Sequence, residues 1–118
     1  MCGLLTLLTP DRDAADHLTA VRRALPLLSH RGPDKRATWS DDDLVHGFQR
    51  LAVIDVARSH QPLEWGPADD PTRYVIAFNG EIYNYADLRE ELRAVHGAVF
   101  ATDGDTEVLA AALHHWGE

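Results

Sequence analysis

The chain has 118 residues, which suffices for one small domain with a modest core. Its 45% hydrophobic and 25% charged residues are ordinary for a globular protein and argue against disorder. Eleven Lys and Arg residues against 19 Asp and Glu residues give a net charge of −8, which repels nucleic-acid phosphates and anionic lipid, so neither a nucleic-acid nor a membrane partner is expected.

The first third of the chain predicts a strand, a helix and a loop. The Leu-rich run from Gly3 to Leu8 has the length of a buried strand. From Ala14 to Leu28 apolar side chains recur at spacings of three and four, which is typical of an amphipathic helix, and Pro26 should end or kink it. The polar segment from Ser29 to Lys35 holds a glycine and a proline and predicts a loop.

The middle of the chain predicts a hairpin followed by a long loop. The runs Ala37 to Ser40 and Leu44 to Phe48 flank three aspartates, which favours two paired strands. Leu51 to Val56 is a further apolar stretch, interrupted by one aspartate. Residues 57–72 hold three prolines and a glycine and are expected to form a surface loop.

The last third predicts a hairpin and then two helices. Tyr74 to Phe78 has a strand pattern, and Asn79-Gly80 followed by residues 81–83 is the strongest short hairpin signal in the chain. A helix is expected from Asn84 or Asp87 to Gly97, then a short strand from Ala98 to Ala101, a turn from Asp103 to Asp105 and a last helix. The inward-facing side chains are expected to be Leu88, Leu92 and Val95, and then Val108, Leu109, Ala112, Leu113 and Trp116. These elements predict an α+β fold with antiparallel sheets in one domain over residues 1–118.

The only cysteine, Cys2, follows the initiator methionine. Removal of Met1, which a small second residue ordinarily permits, leaves a free α-amino group whose pKa is about 7.7 to 8.0. That group can take the thiol proton and so produce a nucleophilic thiolate at neutral pH. By itself, a lone cysteine near a chain start is more often an inert thiol. One cysteine builds neither a disulfide framework nor a Cys-rich zinc site, so the cytoplasm is the expected compartment.

Five short blocks stand out in order along the chain. They are Cys2 to Leu4, His30 to Asp34, Arg50 to Asp55, Gln61 to Leu63 and Asn79 to Tyr85. Their order and residue types resemble those of class II, or N-terminal-nucleophile, glutamine amidotransferases, and the last block resembles the glutaminase domain of glutamine-hydrolysing asparagine synthetases. The resemblance implies a four-layer α/β/β/α sandwich, expected here to be incomplete at the C-terminus. The second block is expected to organise a loop near the pocket, with Arg31 and Asp34 paired.

The resemblance also implies the chemistry of seven residues. Cys2 attacks the side-chain amide of glutamine, which releases ammonia and leaves a glutamyl thioester that water hydrolyses to glutamate. The Asn79 side chain and the Gly80 backbone N–H stabilise the oxyanion. The remaining four residues bind the substrate: Arg50 holds its α-carboxylate, Glu81 and Asp105 its α-ammonium group, and the backbone of Val53 lies against it.

Several of these residues also have a plainer interpretation. Asn79-Gly80 alone predicts a tight hairpin turn. Arg50 without context is a surface arginine at a strand edge, and Asp105 is a helix N-cap. Asp103 lies two residues before Asp105 and is the alternative if the register of the match is shifted.

The expected substrate is glutamine, and the expected partner is a synthetase domain or subunit that accepts ammonia; a homodimer is a further option. No metal and no cofactor is expected for the glutaminase step, whereas ATP and Mg belong to the synthetase domain, whose phosphate loop this sequence does not contain. Three functions remain open. The domain supplies ammonia for asparagine synthesis, it serves a different acceptor, or it is a truncated fragment that acts as an interaction module.

Overall fold

The computed structural model describes residues 1–8, 14–53, 55 and 57–117. They form an α+β fold with antiparallel sheets, as predicted. The chain divides into two compact units: Met1–Ala52 with Ala77–Gly80 form the first, and Val53–Ile76 with Glu81–Glu118 form the second. No helix in the described part of the chain has both the length and the apolar character needed to cross a bilayer.

The first unit is built on a three-stranded antiparallel sheet. Its strands are β1 (Gly3–Leu8), β2 (Lys35–Ser40) and β3 (Leu44–Arg50), in the spatial order β1-β3-β2. The first strand and the hairpin across the three aspartates are therefore confirmed, although β2 begins earlier and β3 ends later than predicted. Because β3 is the central strand, its last residue, Arg50, has neighbours on both sides.

A helix packs on one face of this sheet. Helix α1 (Ala14–Ala24) is followed by a 3₁₀ turn (Leu25–Leu28) that contains Pro26, which confirms the predicted end of the α-helix. A Cβ atom added at Gly47 in β3 would lie 2.8 Å from Val21 Cγ1 and 3.2 Å from Leu25 Cδ1. The helix thus lies directly against the middle of the central strand, where only a residue without a side chain fits.

The loop after the 3₁₀ turn lies equally close to the end of β3. A Cβ atom at Gly32 would lie 2.3 Å from the Gln49 carbonyl oxygen and 2.5 Å from the Arg50 carbonyl carbon. Backbone atoms paired in a sheet cannot move aside as a flexible side chain can, so this position requires glycine.

The variant Gly32→Ala is therefore expected to destabilise the protein by about 3 kcal/mol, the upper part of the range for overpacking. Gly97→Ala is the comparison, because its added methyl group meets nothing within 4 Å and adds only left-handed backbone strain, at φ 67°. Thermal denaturation followed by circular dichroism measures both. A Gly32→Ala protein that melts at or above the temperature of Gly97→Ala would contradict the prediction.

The second unit contains a two-stranded sheet and two helices. Strands β4 (Leu63–Trp65) and β5 (Tyr74–Ile76) pair antiparallel, and the helices are α2 (Tyr85–His96) and α3 (Asp105–Trp116). Helix α2 ends at Gly97 in a left-handed conformation, as predicted. The hydrophobic core of the second unit consists of Leu92, Val108 and Ala111. Partly buried side chains pack around these three residues: Trp65, Tyr85, Leu88, Ala98, Phe100 and Ala112.

Two predictions about strands in this part of the chain are wrong. Residues 57–72 are not loop throughout, because Leu63–Trp65 form β4. Asn79-Gly80 does not join two strands, since β5 pairs with β4 and residues 81–84 lead into α2. A two-residue type I′ turn requires positive φ at both central residues, and neither Asn79 nor Gly80 is among the described residues with positive φ.

The predicted strand at Ala98–Ala101 and some inward-facing residues also require correction. Residues 98–101 form no strand; the Ala101 N–H donates to the Glu107 carboxylate at 2.8 Å instead of pairing with a neighbouring chain. In α2, Val95 is 67% exposed, and the buried residue of that stretch is Leu92. In α3, Trp116 is 45% exposed, because the buried face of this helix passes through Ala110 and Ala111. In the predicted apolar stretch from Leu51 to Val56, residues 51–53 form no strand, and residues 54 and 56 lie outside the described residues.

Candidate active site

Cys2 immediately precedes β1 and lies beside the residue that follows β3. Its Sγ accepts a hydrogen bond from the Leu51 N–H at 3.3 Å, and the thiol donates to the Leu51 carbonyl oxygen at 3.6 Å. Arg31 Nε donates to the Cys2 carbonyl oxygen at 3.1 Å. The thiol is free and half-buried. Both its protonated and its ionised form therefore have a backbone partner in Leu51.

Arg50 ends β3 at the same edge of the sheet. The antiparallel register pairs Gly3 with Gln49, and one further step sets Cys2 opposite Arg50. Arg50 is 6% exposed. Because successive side chains point to opposite faces of a sheet, Arg50 and Gln49 leave the strand in opposite directions. The Gln49 side chain donates to the Gly32 carbonyl oxygen at 2.7 Å.

The loop from His30 to Asp34 is bonded to this edge. The Asp34 N–H donates to the Arg50 carbonyl oxygen at 3.0 Å, and the Asp34 carboxylate accepts from the Ala52 N–H at 2.7 Å. The expected ion pair between Arg31 and Asp34 is not formed, since each of the two side chains binds the backbone at the Cys2 edge instead. The loop thus organises the surroundings of Cys2, although by different contacts from those predicted.

The segment Ala77–Gly80 belongs to the same compact unit as Cys2 and Arg50. Asn79 and Gly80 are both exposed. A Cβ atom at Gly80 would lie 2.6 Å from Phe78 Cζ, so the aromatic ring lies against the backbone at Gly80. This unit therefore holds four of the residues singled out from the sequence: Cys2, Arg50, Asn79 and Gly80.

The other three residues, Val53, Glu81 and Asp105, belong to the second unit. Val53 and Glu81 are exposed, whereas Asp105 is buried at 8% exposure. Asp105 is the first residue of α3, and Gly104 occupies the N-cap position that the plainer interpretation assigned to Asp105. Asp105 Oδ2 accepts from the Ile82 N–H at 3.0 Å. The carboxylate thus lies beside the residue that follows Glu81.

Asp103, the alternative in a shifted register, has different partners. Its carboxylate pairs with Arg58 and lies 3.6 Å from Arg89 Nη1. Its side chain is 73% exposed. Asp103 is thus engaged in ion pairs at the surface, whereas Asp105 is buried beside the segment that carries Glu81.

Two buried charged residues next to Asp105 were not singled out from the sequence. They are Arg89 in α2, at 7% exposure, and Glu107 in α3, at 4% exposure. The signal for Arg89 was its position between Tyr85 and Leu92, at spacings of four and three within the apolar stripe of the helix. A charged residue in such a stripe indicates buried acceptors that a sequence alone does not identify.

Comparison with known proteins gives a consistent picture. A family model described as a glutamine amidotransferase domain matches residues 1–118. The chain is 54% identical to a Mycobacterium tuberculosis protein provisionally named a glutamine-hydrolyzing asparagine synthetase, over 99% of this chain and 20% of that protein. It is 42% identical to glutamine-hydrolyzing asparagine synthetase 1 of Bacillus subtilis, over 100% of this chain and 18% of that protein. It is 36% identical to glutamine-hydrolyzing asparagine synthetase 1 of Arabidopsis thaliana, over 99% of this chain and 19% of that protein. The chain spans about a fifth of the length of these relatives.

Proposed function

Because the chain belongs to the glutamine amidotransferase domain family, we propose that it hydrolyses the side-chain amide of glutamine, with Cys2 as the nucleophile. The observation that carries this proposal is the presence of Cys2, Arg50, Asn79 and Gly80 in one compact unit, with Cys2 and Arg50 at one edge of its sheet. The proposal includes the four-layer α/β/β/α sandwich as the architecture of the domain.

Met1 must be removed before the protein can react, and its side chain is accessible at 77% exposure. The freed α-amino group of Cys2 takes the thiol proton, and the thiolate attacks the amide carbon. Asn79 Nδ2 and the Gly80 N–H donate to the resulting oxyanion. The C–N bond then breaks as the α-ammonium group returns the proton to the nitrogen, which leaves as ammonia. Water hydrolyses the glutamyl thioester to glutamate and restores the thiol.

In this proposal the protein binds the substrate through its α-carboxylate and its α-ammonium group. The Arg50 guanidinium forms a two-pronged contact with the α-carboxylate. Glu81 and Asp105 accept hydrogen bonds from the α-ammonium group, and the Val53 backbone lies against the substrate. Asp105 already accepts hydrogen bonds from the Ile82 N–H at 3.0 Å and the Thr106 hydroxyl at 3.5 Å, and a carboxylate has further lone pairs for the ligand.

The released ammonia has an acceptor in the relatives, which are named asparagine synthetases. We propose that it serves an ATP- and Mg-dependent synthetase domain or subunit in the cytoplasm, with aspartate as the acceptor. The glutaminase step itself uses no metal or cofactor in this scheme. Supplying purified acceptors together with their synthetase partner, and measuring which one is amidated, distinguishes aspartate from other acceptors.

The direct experiment for the glutaminase proposal is to incubate the protein, with Met1 removed, with glutamine and to measure glutamate and ammonia. Equal amounts of the two products are expected. A folded protein that forms neither would contradict the proposal and favour an interaction module.

The variant Arg50→Lys is expected to raise the KM for glutamine at least about tenfold, because lysine cannot reproduce the two-pronged contact with a carboxylate. A charge-assisted hydrogen bond contributes about 1.5 to 3 kcal/mol, which corresponds to that change. Arg36→Lys is the matched control, since Arg36 lies in β2 and its Nε contacts the Gln49 side chain at 3.1 Å. Steady-state kinetics with glutamine should show little change for the control. Equal KM values for the two variants would contradict the role of Arg50.

A further inference from the structure

The turn formed by residues 101–104 leads directly into Asp105 and is bonded to the first turn of α3. Glu107 accepts three hydrogen bonds from it: from the Ala101 N–H at 2.8 Å, and from the Thr102 N–H and hydroxyl at 2.7 Å each. A buried carboxylate that accepts this many hydrogen bonds holds its donors firmly. Glu107 therefore fixes the start of the turn.

Arg89 holds the same turn from α2. Its guanidinium donates from Nη1 to the Thr102 carbonyl oxygen at 2.7 Å and from Nη2 to the Gly104 carbonyl oxygen at 3.0 Å. The face of Phe100 lies beneath the guanidinium, with 4.8 Å between Arg89 Cζ and the ring centroid. The two prongs of one rigid group thus set the distance between the carbonyl groups on either side of Asp103.

Asp55 and Ser59 also contact the turn. Asp55 Oδ2 accepts from the Asp103 N–H at 2.8 Å. Ser59 is buried, and a Cβ atom at Gly104 would lie 2.3 Å from its Oγ. Each residue of the turn is therefore in contact with one of three separate parts of the second unit.

The two buried charges do not form an ion pair with each other; among the described residues, the carboxylate of Glu107 accepts only from the turn. Burying charged groups costs free energy, and apolar residues of similar volume often stabilise a protein as well or better. What Arg89 and Glu107 supply is a defined backbone path through the turn. The backbone path through the turn determines the position of Asp105, the first residue of α3, and therefore of its carboxylate.

We infer that Arg89 and Glu107 are positioning residues for Asp105, and that they thereby determine the preference for amides that carry an α-ammonium group. The inference rests on the proposed function, in which Asp105 accepts hydrogen bonds from that group. Asp105 Oδ2 accepts from the Ile82 N–H at 3.0 Å and Oδ1 from the Thr106 hydroxyl at 3.5 Å, so a displaced turn shifts the carboxylate relative to these contacts and misdirects its remaining acceptor positions. A displacement of about 1 Å at such a group costs up to roughly 100-fold in rate.

The test compares two reagents that alkylate Cys2. One is 6-diazo-5-oxo-L-norleucine, a glutamine analogue with an α-ammonium group, and the other is its counterpart without that group. Labelling rates are measured by intact-protein mass spectrometry for the parent protein and for Arg89→Lys and Glu107→Gln. The ratio of the two rates is expected to fall roughly 10- to 100-fold in both variants, because only the amine-bearing reagent uses Asp105.

Two further variants make the test decisive. Arg93→Lys is the matched control, because Arg93 lies one turn along α2 and also faces Phe100, but it pairs with Glu90 and its ratio should not change. Thr102→Val removes one hydroxyl from the turn and keeps both buried charges, and it should lower the ratio about fivefold even where the other variants fold poorly.

The outcomes separate the inference from the function on which it rests. Folded variants that keep the parent's ratio would overturn the positioning role. A parent protein labelled equally by both reagents would overturn the role of Asp105, and with it the inference. A folded parent labelled by neither reagent would overturn the proposed glutaminase function itself. A variant that merely unfolds loses labelling by both reagents. Loss of labelling by the reagent without the α-ammonium group therefore identifies unfolding.

Discussion

Replacing Cys2 with alanine is expected to lower the rate of glutamate formation from glutamine by at least about 10³-fold, because the methyl group of alanine cannot form the covalent intermediate. The change removes only one sulfur atom, whose contacts are those with Leu51. The fold should therefore be retained, with an unchanged far-ultraviolet circular dichroism spectrum and a melting temperature close to that of the parent. Chromatographic measurement of glutamate over several hours gives the residual rate.

The variant Cys2→Ser serves as its companion. It keeps a small polar side chain and the free α-amino group but replaces the sulfur with a weaker nucleophile. It should also be strongly impaired, which would separate loss of the thiolate from loss of packing. Glutamate formation at the parent rate by Cys2→Ala would mean that hydrolysis takes place elsewhere in the protein.

The variant Asn79→Ala is expected to lower kcat for glutamine roughly 10²- to 10³-fold, the usual effect of removing one oxyanion donor. KM should change little, because the oxyanion develops only after binding. Asn79 is exposed, so removing its amide costs little stability. Steady-state kinetics of ammonia release measures both constants.

Asn84→Ala is the matched control for this prediction. Asn84 lies in the same conspicuous sequence block, and it precedes α2 without a side-chain capping hydrogen bond. Its replacement should leave kcat near the parent value. Comparable losses in the two variants would indicate that the amide of Asn79 has no specific part in the reaction.

The elements with strong local signals could be predicted from the sequence. The hairpin of β2 and β3 follows from three consecutive aspartates between two apolar runs, and the end of α1 follows from Pro26. Gly97 closes α2 at φ 67°, a conformation that glycine adopts without strain. In each case the signal and the element lie within a few residues of each other.

The elements that depend on distant partners could not be predicted in the same way. Strand β4 has three residues, and it exists because β5, about ten residues later, pairs with it. Asn79-Gly80 has the sequence of a tight turn, yet residues 77–80 pack in the first unit and adopt no positive φ. Tertiary contacts override local preference at both places.

The residues of the candidate site likewise fall into those that the sequence indicated and those that only the tertiary structure indicates. Resemblance to a family singled out Cys2, Arg50 and Asn79 as candidates, because their residue types and order are distinctive. The sequence did not single out Arg89 and Glu107, because the role of a charged residue in a helix can be inferred only when its hydrogen-bond partners are known. Their partners lie in residues 101–104, where the sequence predicted the end of a strand and the beginning of a turn.

Trapping the covalent intermediate is the most direct test of whether Cys2 is the nucleophile. The protein with Met1 removed is mixed with glutamine, quenched in acid within milliseconds to seconds, and digested for mass spectrometry. The peptide beginning at Cys2 is expected to carry a glutamyl group attached through sulfur, which disappears as glutamine is exhausted and is absent from Cys2→Ala. Hydrolysis of glutamine by Cys2→Ala at the parent rate, or a glutamyl group attached to any other residue, would contradict it.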